Sequence, residues 1–194
     1  MLQLFKDKVS KEVADRIIYR SEKLPTEPDW FMFLSDFESG LDAYRENLYR
    51  CFSFIQFCPD FSGGDYKTIK GRRYYFSEMK KMTPVQLIDL SFDYLEEQQE
   101  AHGRFSTYHD LYFSILFPVA IGKPDDYVLN TKSNPIFDIS KNGSITVGEV
   151  KQFLDNRVRA KVPSAYLDTF FKKKTFCSYI NEKLSSGVEL RLAS

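Results

Sequence analysis

The sequence lacks the features that mark several common protein classes. Its 27 basic and 27 acidic side chains cancel, so no overall positive field would attract nucleic acid. No apolar run approaches the roughly 20 residues that span a bilayer. The N-terminus has no charged start, apolar core and small-residue cleavage site of the signal-peptide type. We therefore expect no nucleic-acid partner, no membrane span and, for any work outside the cytoplasm, a route of delivery other than a signal peptide.

Cysteine and histidine are also scarce. Cys51, Cys58 and Cys177 form no Cys-x-x-Cys pair, so buried free thiols are expected instead of a disulfide framework or a zinc site. His102 and His109 are the two imidazoles, and no nucleophile-elbow motif accompanies them. This pattern disfavours a Ser or Cys triad. Aromatic residues, in contrast, are abundant, with 18 Phe and 12 Tyr, and they predict an aromatic-rich core.

Helical periodicity and capping residues predict a mainly α fold. Ser10 is the expected cap of the first helix, and Thr83 and Ser106 or Thr107 are expected to begin two later ones. The predicted helices cover residues 10–23, 26–40, 83–98, 106–117, 147–154 and 164–184, and a short helix over 41–51 is also compatible with the sequence. Residues 52–57 are a candidate extended segment, and 65–81 predict either a strand pair or an irregular flap.

The stretch 36–40 ends an aromatic-rich helix on a carboxylic acid. Thr26 and Asp29 have capping-box spacing, so the helix is expected to start near Thr26, and Gly40 is the expected stop. Glu38 then lies in the last turn, where the helix dipole and apolar neighbours both disfavour its charged form. A carboxyl group with a raised pKa suits general acid catalysis. The alternative is that Glu38 is an ordinary exposed acid.

Residues 138–149 match the pattern of a calcium-binding loop, with oxygen-bearing side chains at alternate positions, a central glycine and a final glutamate. The candidate ligands are Asp138, Ser140, Asn142, the carbonyl of Ser144 and Glu149. Only two of them are charged, which predicts affinity in the millimolar range. Asn134-Pro135 argues against a regular incoming helix. The alternative is an Asx-rich turn that caps the following helix.

Several short segments, taken in order, resemble the catalytic core of lytic transglycosylases and goose-type lysozymes. They are Leu24-Pro25, Pro28-Asp29-Trp30, Glu38-Ser39-Gly40, Ile55-Gln56-Phe57-Cys58-Pro59, residues 82–87, residues 111–118, Gly122-Lys123-Pro124, Tyr127-Val128-Leu129 and the 138–149 loop. The order is similar to that of phage and bacterial transglycosylase-like domains with a calcium-type loop behind the lysozyme core. The resemblance covers roughly residues 10–154.

The resemblance implies a lysozyme-like domain over residues 1–154, including an EF-hand-like calcium loop, and a helical extension over 155–194. It implies cleavage of peptidoglycan between N-acetylmuramic acid and N-acetylglucosamine. Glu38 would be the general acid and then the base, and Ser39 would orient Glu38 or the substrate. Gln56 would hold the groove wall or a sugar by hydrogen bonds, and Tyr112 would be a further groove residue that binds substrate. Calcium would be structural, with no cofactor needed for catalysis.

The resemblance also implies binding partners and a place of action. The partners would be peptidoglycan glycan strands, and virion or lysis-system proteins of a bacteriophage would deliver the protein to the periplasm or cell wall. The alternatives are a catalytically inactive lysozyme-like protein that is structural or wall-binding in a virion, and a calcium-regulated binding module.

The sequence departs from the family pattern at two places. Where the family usually reads Gly-Leu-Met/Ile-Gln, Ser53-Phe54 precede Ile55-Gln56. The Ala-Tyr-Asn-x-Gly segment of many transglycosylases is replaced by residues 119–123. For a hydrolytic mechanism, a second carboxylate could come from one of four acids, Asp42, Glu46, Asp60 or Asp65.

Overall fold

Helices dominate the fold, as predicted. The computed structural model describes residues 4–129 and 134–172. The α-helices are α1 (Lys11–Lys23), α2 (Pro28–Ser39), α3 (Phe76–Met79), α4 (Pro84–His102), α5 (Tyr108–Leu116), α6 (Val147–Lys161) and α7 (Leu167–Phe170). The antiparallel strand pairs are β1 (Tyr66–Ile69) with β2 (Arg72–Tyr75), and β3 (Val128–Leu129) with β4 (Ile145–Thr146). Short 3-10 turns lie at Lys6–Lys8, Pro118–Ala120, Pro135–Phe137 and Ser164–Tyr166.

Capping chemistry sets most helix boundaries where the sequence predicts them. The Ser10 hydroxyl accepts a hydrogen bond from the N–H of Val13, and Thr83 and Thr107 each form a complete capping box. Gly40 ends α2 in the left-handed conformation, at φ +67°. These contacts span only three or four residues, which is why the sequence alone reveals them.

The predicted start of α2 at Thr26 is wrong. The helix begins at Pro28, with Glu27 as its N-cap and no side-chain cap bond. The N–H of Thr26 instead donates to the carbonyl of Ser21 at 3.0 Å, which prolongs the end of α1. Pro28 itself provides the preorganised first turn, since it has no N–H to satisfy.

The short helix compatible with residues 41–51 does not form. Leu41 has φ +66° and continues the left-handed turn begun at Gly40. The side-chain oxygen of Asn47 accepts hydrogen bonds from the N–H groups of Tyr49 and Cys51. Asparagine competes in this way with helical hydrogen bonding, and the segment is held as a series of turns.

The C-terminal helix also starts differently from the prediction. Residues 164–166 form a 3-10 turn and α7 follows it, so no single helix runs from Ala165. The rest of that predicted helix, to residue 184, lies outside the described residues, as does Cys177. Further upstream, α6 runs across position 154 and keeps Val158 fully buried.

Helix α2 lies at the centre of the core. Residues 28–35 are all buried, and Phe31 stacks on Phe92 of α4 with ring centroids 4.7 Å apart. Phe33 packs edge-on against Tyr108 of α5 at 6.2 Å. A helix buried on all sides withdraws its ends from water as well, and Glu38 lies at one of those ends.

The described C-terminal residues close the other end of α2. The indole N–H of Trp30 donates to the carbonyl of Phe170 at 2.8 Å, and the hydroxyl of Tyr166 donates to Asp29 at 2.6 Å. Across the described helices, none has both the length and the apolar character that crossing a membrane requires.

Candidate active site

The Glu38 carboxyl group meets α5 at the end of α2. The hydroxyl of Tyr112 donates a hydrogen bond to Oε1 of Glu38 at 2.9 Å. Tyr112 is buried and Glu38 is half-buried. Burial raises the pKa of Glu38 from 4.5 to about 6, although the hydrogen bond from Tyr112 acts to lower it. A carboxyl group with this pKa can both give and take a proton near neutral pH.

Aromatic rings form the wall beside this pair. Phe37 contacts the ring of Tyr112 edge-on at 5.2 Å and that of Phe153 at 6.3 Å. This packing helps to bury the ring of Tyr112, whose hydroxyl bonds Glu38. The resemblance implied that both residues belong to one site, but it did not reveal that they bond directly, because they are 74 residues apart.

Among the described residues, no second acid is paired with Glu38. Two candidates for a second carboxylate, Glu46 and Asp60, are bound to Lys80 at 2.7 Å and to Lys67 at 3.1 Å. Burial and the phenol hydrogen bond account for the shift in the pKa of Glu38, and no carboxylate in the described part of the chain contributes to it. The arrangement is that of a single tuned acid.

Ser39 links α2 to the segment that follows it. Its hydroxyl is buried, 2.9 Å from the carbonyl oxygen of Ser35 and 3.1 Å from that of Phe54. One hydroxyl proton is shared between two backbone acceptors, so the side chain is engaged within the protein. These two bonds join the last turn of α2 to the segment around Phe54.

Residues 52–57 form a small hairpin beside the end of α2. Phe52 and Phe57 exchange both backbone hydrogen bonds, at 2.9 and 2.7 Å, around a tight turn over residues 53–56, so the extended segment predicted over 52–57 is wrong. The amide nitrogen of Gln56 donates to the carbonyls of Arg45 at 3.1 Å and Ser53 at 3.0 Å. Gln56 therefore holds the hairpin turn through its side chain.

The expectation of free thiols is wrong for two of the three cysteines. Cys51 and Cys58 flank the Phe52–Phe57 pair and form a disulfide, with their Cα atoms 4.0 Å apart. The hairpin register places them directly opposite each other, in the closer kind of antiparallel pair. Spacing alone did not reveal the bond, because it depends on the register of the turn. The disulfide closes the hairpin that contacts Ser39.

Ser53 adopts a backbone conformation that suits glycine. Its φ is +75°, and it occupies the position where the resembled family usually has glycine. Its side-chain oxygen is buried and has no hydrogen-bond partner in the part of the chain that the structure describes. The substitution in this sequence thus leaves the backbone fold of the turn intact at a local energetic cost.

Backbone N–H groups of the 138–149 loop donate hydrogen bonds to side-chain oxygen atoms of the same loop. The two carboxylate oxygens of Asp138 accept from the N–H groups of Asn142 and Gly143, at 3.1 and 2.9 Å. The side-chain oxygen of Asn142 accepts from Ser144 at 2.8 Å. A 3-10 turn enters the loop in place of a regular helix, as expected from Asn134-Pro135.

Glu149 closes the loop from the first turn of α6. One carboxylate oxygen accepts from the N–H of Ser140 at 3.0 Å, and the other accepts from the N–H of Thr146 at 2.9 Å. These hydrogen bonds, those from Ser140 foremost, lower the pKa of Glu149 to about 2. The Asx-rich, helix-capping turn of the alternative interpretation is therefore present, and calcium binding stays a prediction.

The donor set of the loop contains oxygen only, which is the chemistry that calcium prefers. Within residues 4–129 and 134–172, no group of three or more His, Cys, Asp and Glu side chains is placed to hold a metal ion. A cation at the loop would therefore depend on Ser140, Asn142 and backbone carbonyls as well as on Asp138 and Glu149.

No family model matches this chain, and no curated protein or solved structure shows significant similarity to it. The resemblance to lytic transglycosylases and goose-type lysozymes therefore depends on the ordered motifs.

Replacing Glu38 with Gln is expected to remove a pH-dependent contribution to stability. Because the folded-state pKa is raised, the contribution is fully present below 4.5 and is lost as the pH rises through about 6. The loss amounts to about 2 kcal/mol. In urea unfolding, the free energy of unfolding of Glu38→Gln relative to wild type should therefore increase by about 2 kcal/mol from about pH 4 to about pH 7.5. A pH-independent difference would contradict the assigned environment.

The Tyr112→Phe variant provides the matched control. Removing the phenol hydrogen bond should raise the pKa of Glu38 further and move the transition to higher pH. In the Glu38→Gln background, Tyr112→Phe should leave the pH dependence of the free energy of unfolding unaltered.

Replacing Ser53 with Gly is expected to stabilise the protein by about 1 kcal/mol, since it relieves the left-handed backbone and removes an unpartnered hydroxyl. Thermal or urea unfolding measures the gain. Gly40→Ala, at φ +67° and with open space around its Cα, is the opposite change and should cost about as much. Destabilisation by Ser53→Gly would show that packing of the serine side chain outweighs both the strain of the left-handed backbone and the cost of the unpartnered hydroxyl.

Proposed function

We propose that this protein is a peptidoglycan-cleaving glycosidase of lysozyme-like fold. It acts on the bond between N-acetylmuramic acid and N-acetylglucosamine, with Glu38 as general acid and base. The observation that carries the proposal is the half-buried Glu38 carboxyl group, with its pKa near 6 and a tyrosine hydroxyl bonded to it. The ordered motifs shared with lytic transglycosylases supply the substrate class.

In the proposed reaction, protonated Glu38 gives its proton to the glycosidic oxygen as the bond from that oxygen to C1 of muramic acid breaks. The N-acetyl carbonyl of the same sugar assists at C1. The Glu38 carboxylate then takes the proton of the sugar's C6 hydroxyl as that oxygen attacks C1 and displaces the N-acetyl oxygen bonded there, which yields an anhydro product and restores the acid. Tyr112 stabilises the carboxylate between the two steps by its hydrogen bond.

The isolation of Glu38 favours transglycosylation over hydrolysis. Glycosidases that use two carboxylates hold them about 5 to 9.5 Å apart. The pKa of Glu38 shows no influence of a second acid, and Glu46 and Asp60 are neutralised by lysines. Chemistry that relies on the substrate's own N-acetyl group needs only one acid.

The Cys51–Cys58 disulfide supports work outside the cytoplasm. Disulfides persist in oxidising compartments such as the periplasm and are rare in the cytosol. This agrees with delivery to the cell wall by a virion or a lysis system of a bacteriophage.

We also propose that the 138–149 loop binds calcium with millimolar affinity as a structural ion. Asp138, Ser140, Asn142, the Ser144 carbonyl and Glu149 would hold it. The ion would replace hydrogen bonds that the loop now makes to itself, such as the bond from Ser140 to Glu149. It would fix the start of α6, whose N-cap Thr146 is bonded to the same glutamate.

Incubating the protein with purified peptidoglycan should release muropeptides with anhydro-sugar ends, which mass spectrometry identifies. Glu38→Gln is expected to reduce the release by at least about a hundredfold, because proton transfer is lost. Glu46→Gln removes a carboxylate that is bound to Lys80 and should retain activity.

Reducing ends in place of anhydro ends would establish hydrolysis and overturn the single-acid mechanism. Absence of release by the folded wild-type protein on several wall chemotypes would sink the enzymatic proposal. Wall binding without release would then support the inactive, wall-binding alternative.

Adding calcium at about ten times a millimolar Kd is expected to stabilise the protein by about 1.4 kcal/mol. Thermal melting with calcium, compared with magnesium at equal ionic strength, measures the effect. Asp138→Asn should abolish the calcium-specific shift while retaining an oxygen acceptor for the loop's backbone N–H groups. Equal melting temperatures in calcium and in magnesium would favour the simple helix-capping turn.

A further inference from the structure

A groove of about 410 Å³ runs along α6. It is lined by Ile136, Phe153, Asn156, Arg157 and Ala160. The reaction described above uses none of these residues. Phe37 connects the groove to the candidate active site, because it packs both against Phe153, which lines the groove, and against Tyr112.

Arg157 places a fixed positive charge in this groove. Its guanidinium carbon lies 4.6 Å from the ring centroid of Phe37 and 5.5 Å from that of Phe153. A guanidinium group held over aromatic rings keeps its N–H donors directed outward along its edge. The side chain is exposed at the surface of the groove, so those donors are accessible to a ligand.

This arginine has no acidic partner in the described part of the chain. Arg16 and Arg20 are bound to Asp89, but no described carboxylate lies within 4.0 Å of Arg157. An ordered arginine without a counter-ion, in a groove beside an acid-bearing site, has the chemistry to bind a carboxylate bidentately.

The position of Arg157 relative to Glu38 limits which carboxylate could reach it. The guanidinium carbon lies 4.6 Å from the ring centroid of Phe37, and that ring lies 5.2 Å from the ring of Tyr112, centroid to centroid. Arg157 is therefore a neighbour of the phenol that bonds Glu38. In stem-bearing peptidoglycan the lactyl carboxyl of muramic acid is tied up in an amide bond, so the free carboxylates available beside the cleaved bond are those of the peptide stem.

We propose that Arg157 binds a free carboxylate of the acidic peptide stem carried by the muramic acid beside the cleaved bond. The proposal rests on the proposed function, which supplies the glycan. It makes Arg157 a specificity-determining residue that distinguishes peptide-bearing strands from bare glycan. The rings of Phe37 and Phe153 orient its guanidinium group.

Binding measured in the Glu38→Gln background tests the proposal without turnover. The probes are a tetrasaccharide fragment of peptidoglycan whose stems retain free carboxylates, and the same fragment after an amidase has removed the stems. Calorimetry should show that Arg157→Gln weakens binding of the stem-bearing fragment by about tenfold, the size of one charge-assisted contact. Binding of the stem-free fragment should change by less than about twofold.

Arg159→Gln is the matched control. Arg159 belongs to the same helix and lies over a different ring, that of Phe171, at 5.1 Å. Its replacement removes the same charge and should leave binding of both fragments unchanged. Arg157→Lys keeps the charge but not the planar, stacked group, and should recover part of the affinity.

Two results would overturn the proposal. Equal weakening of both fragments by Arg157→Gln would mean that the arginine contacts the sugars themselves or supports the fold. Unchanged binding of the stem-bearing fragment would mean that it contacts no stem.

The readout separates this inference from the proposed function. Stem-dependent binding together with no muropeptide release by wild-type protein would leave the Arg157 site standing and sink the enzyme. Muropeptide release by the wild-type protein, together with fragment binding that does not depend on Arg157, would support the proposed function and overturn the Arg157 site.

Discussion

The contact between the end of α2 and the middle of α5 determines the character of this protein. It joins the Glu38 carboxyl group to the Tyr112 hydroxyl at a depth where water is scarce. Because α2 is buried along most of its length, its last turn carries an acid into the protein interior. Desolvation then raises the pKa toward neutrality, and the phenol limits that rise. The same packing that stabilises the fold therefore produces the candidate catalytic group.

A second constraint fixes the segment next to that acid. The hairpin over 52–57 presents a backbone carbonyl to Ser39, and Gln56 and the Cys51–Cys58 disulfide fix the turn and the base of the hairpin. The side chains of Ser39 and Gln56 are thus engaged with the backbone. The end of α2 is therefore joined to a hairpin that hydrogen bonds and a covalent bond hold in one shape.

Features could be predicted from the sequence most reliably where the interacting residues lie within about one helical turn of each other. Ser10, Thr83, Thr107 and Gly40 were identified correctly because a cap is decided within about one helical turn. The turns of 41–51 were missed since side-chain oxygens there outcompete helical bonding. The disulfide was missed for a different reason, as it follows from the register of a hairpin that carries only a weak strand pattern.

The sequence by itself determined a mainly α chain rich in aromatics, with an acid at a helix end and an oxygen-rich loop before a capped helix. Local spacing decides all of these. Only the tertiary structure decided that Glu38 bonds to Tyr112, that two cysteines meet and that Arg157 lies over Phe37. Burial and charge act through space between groups distant in the chain, so a carboxyl group acquires its chemistry only when the helices around it have packed.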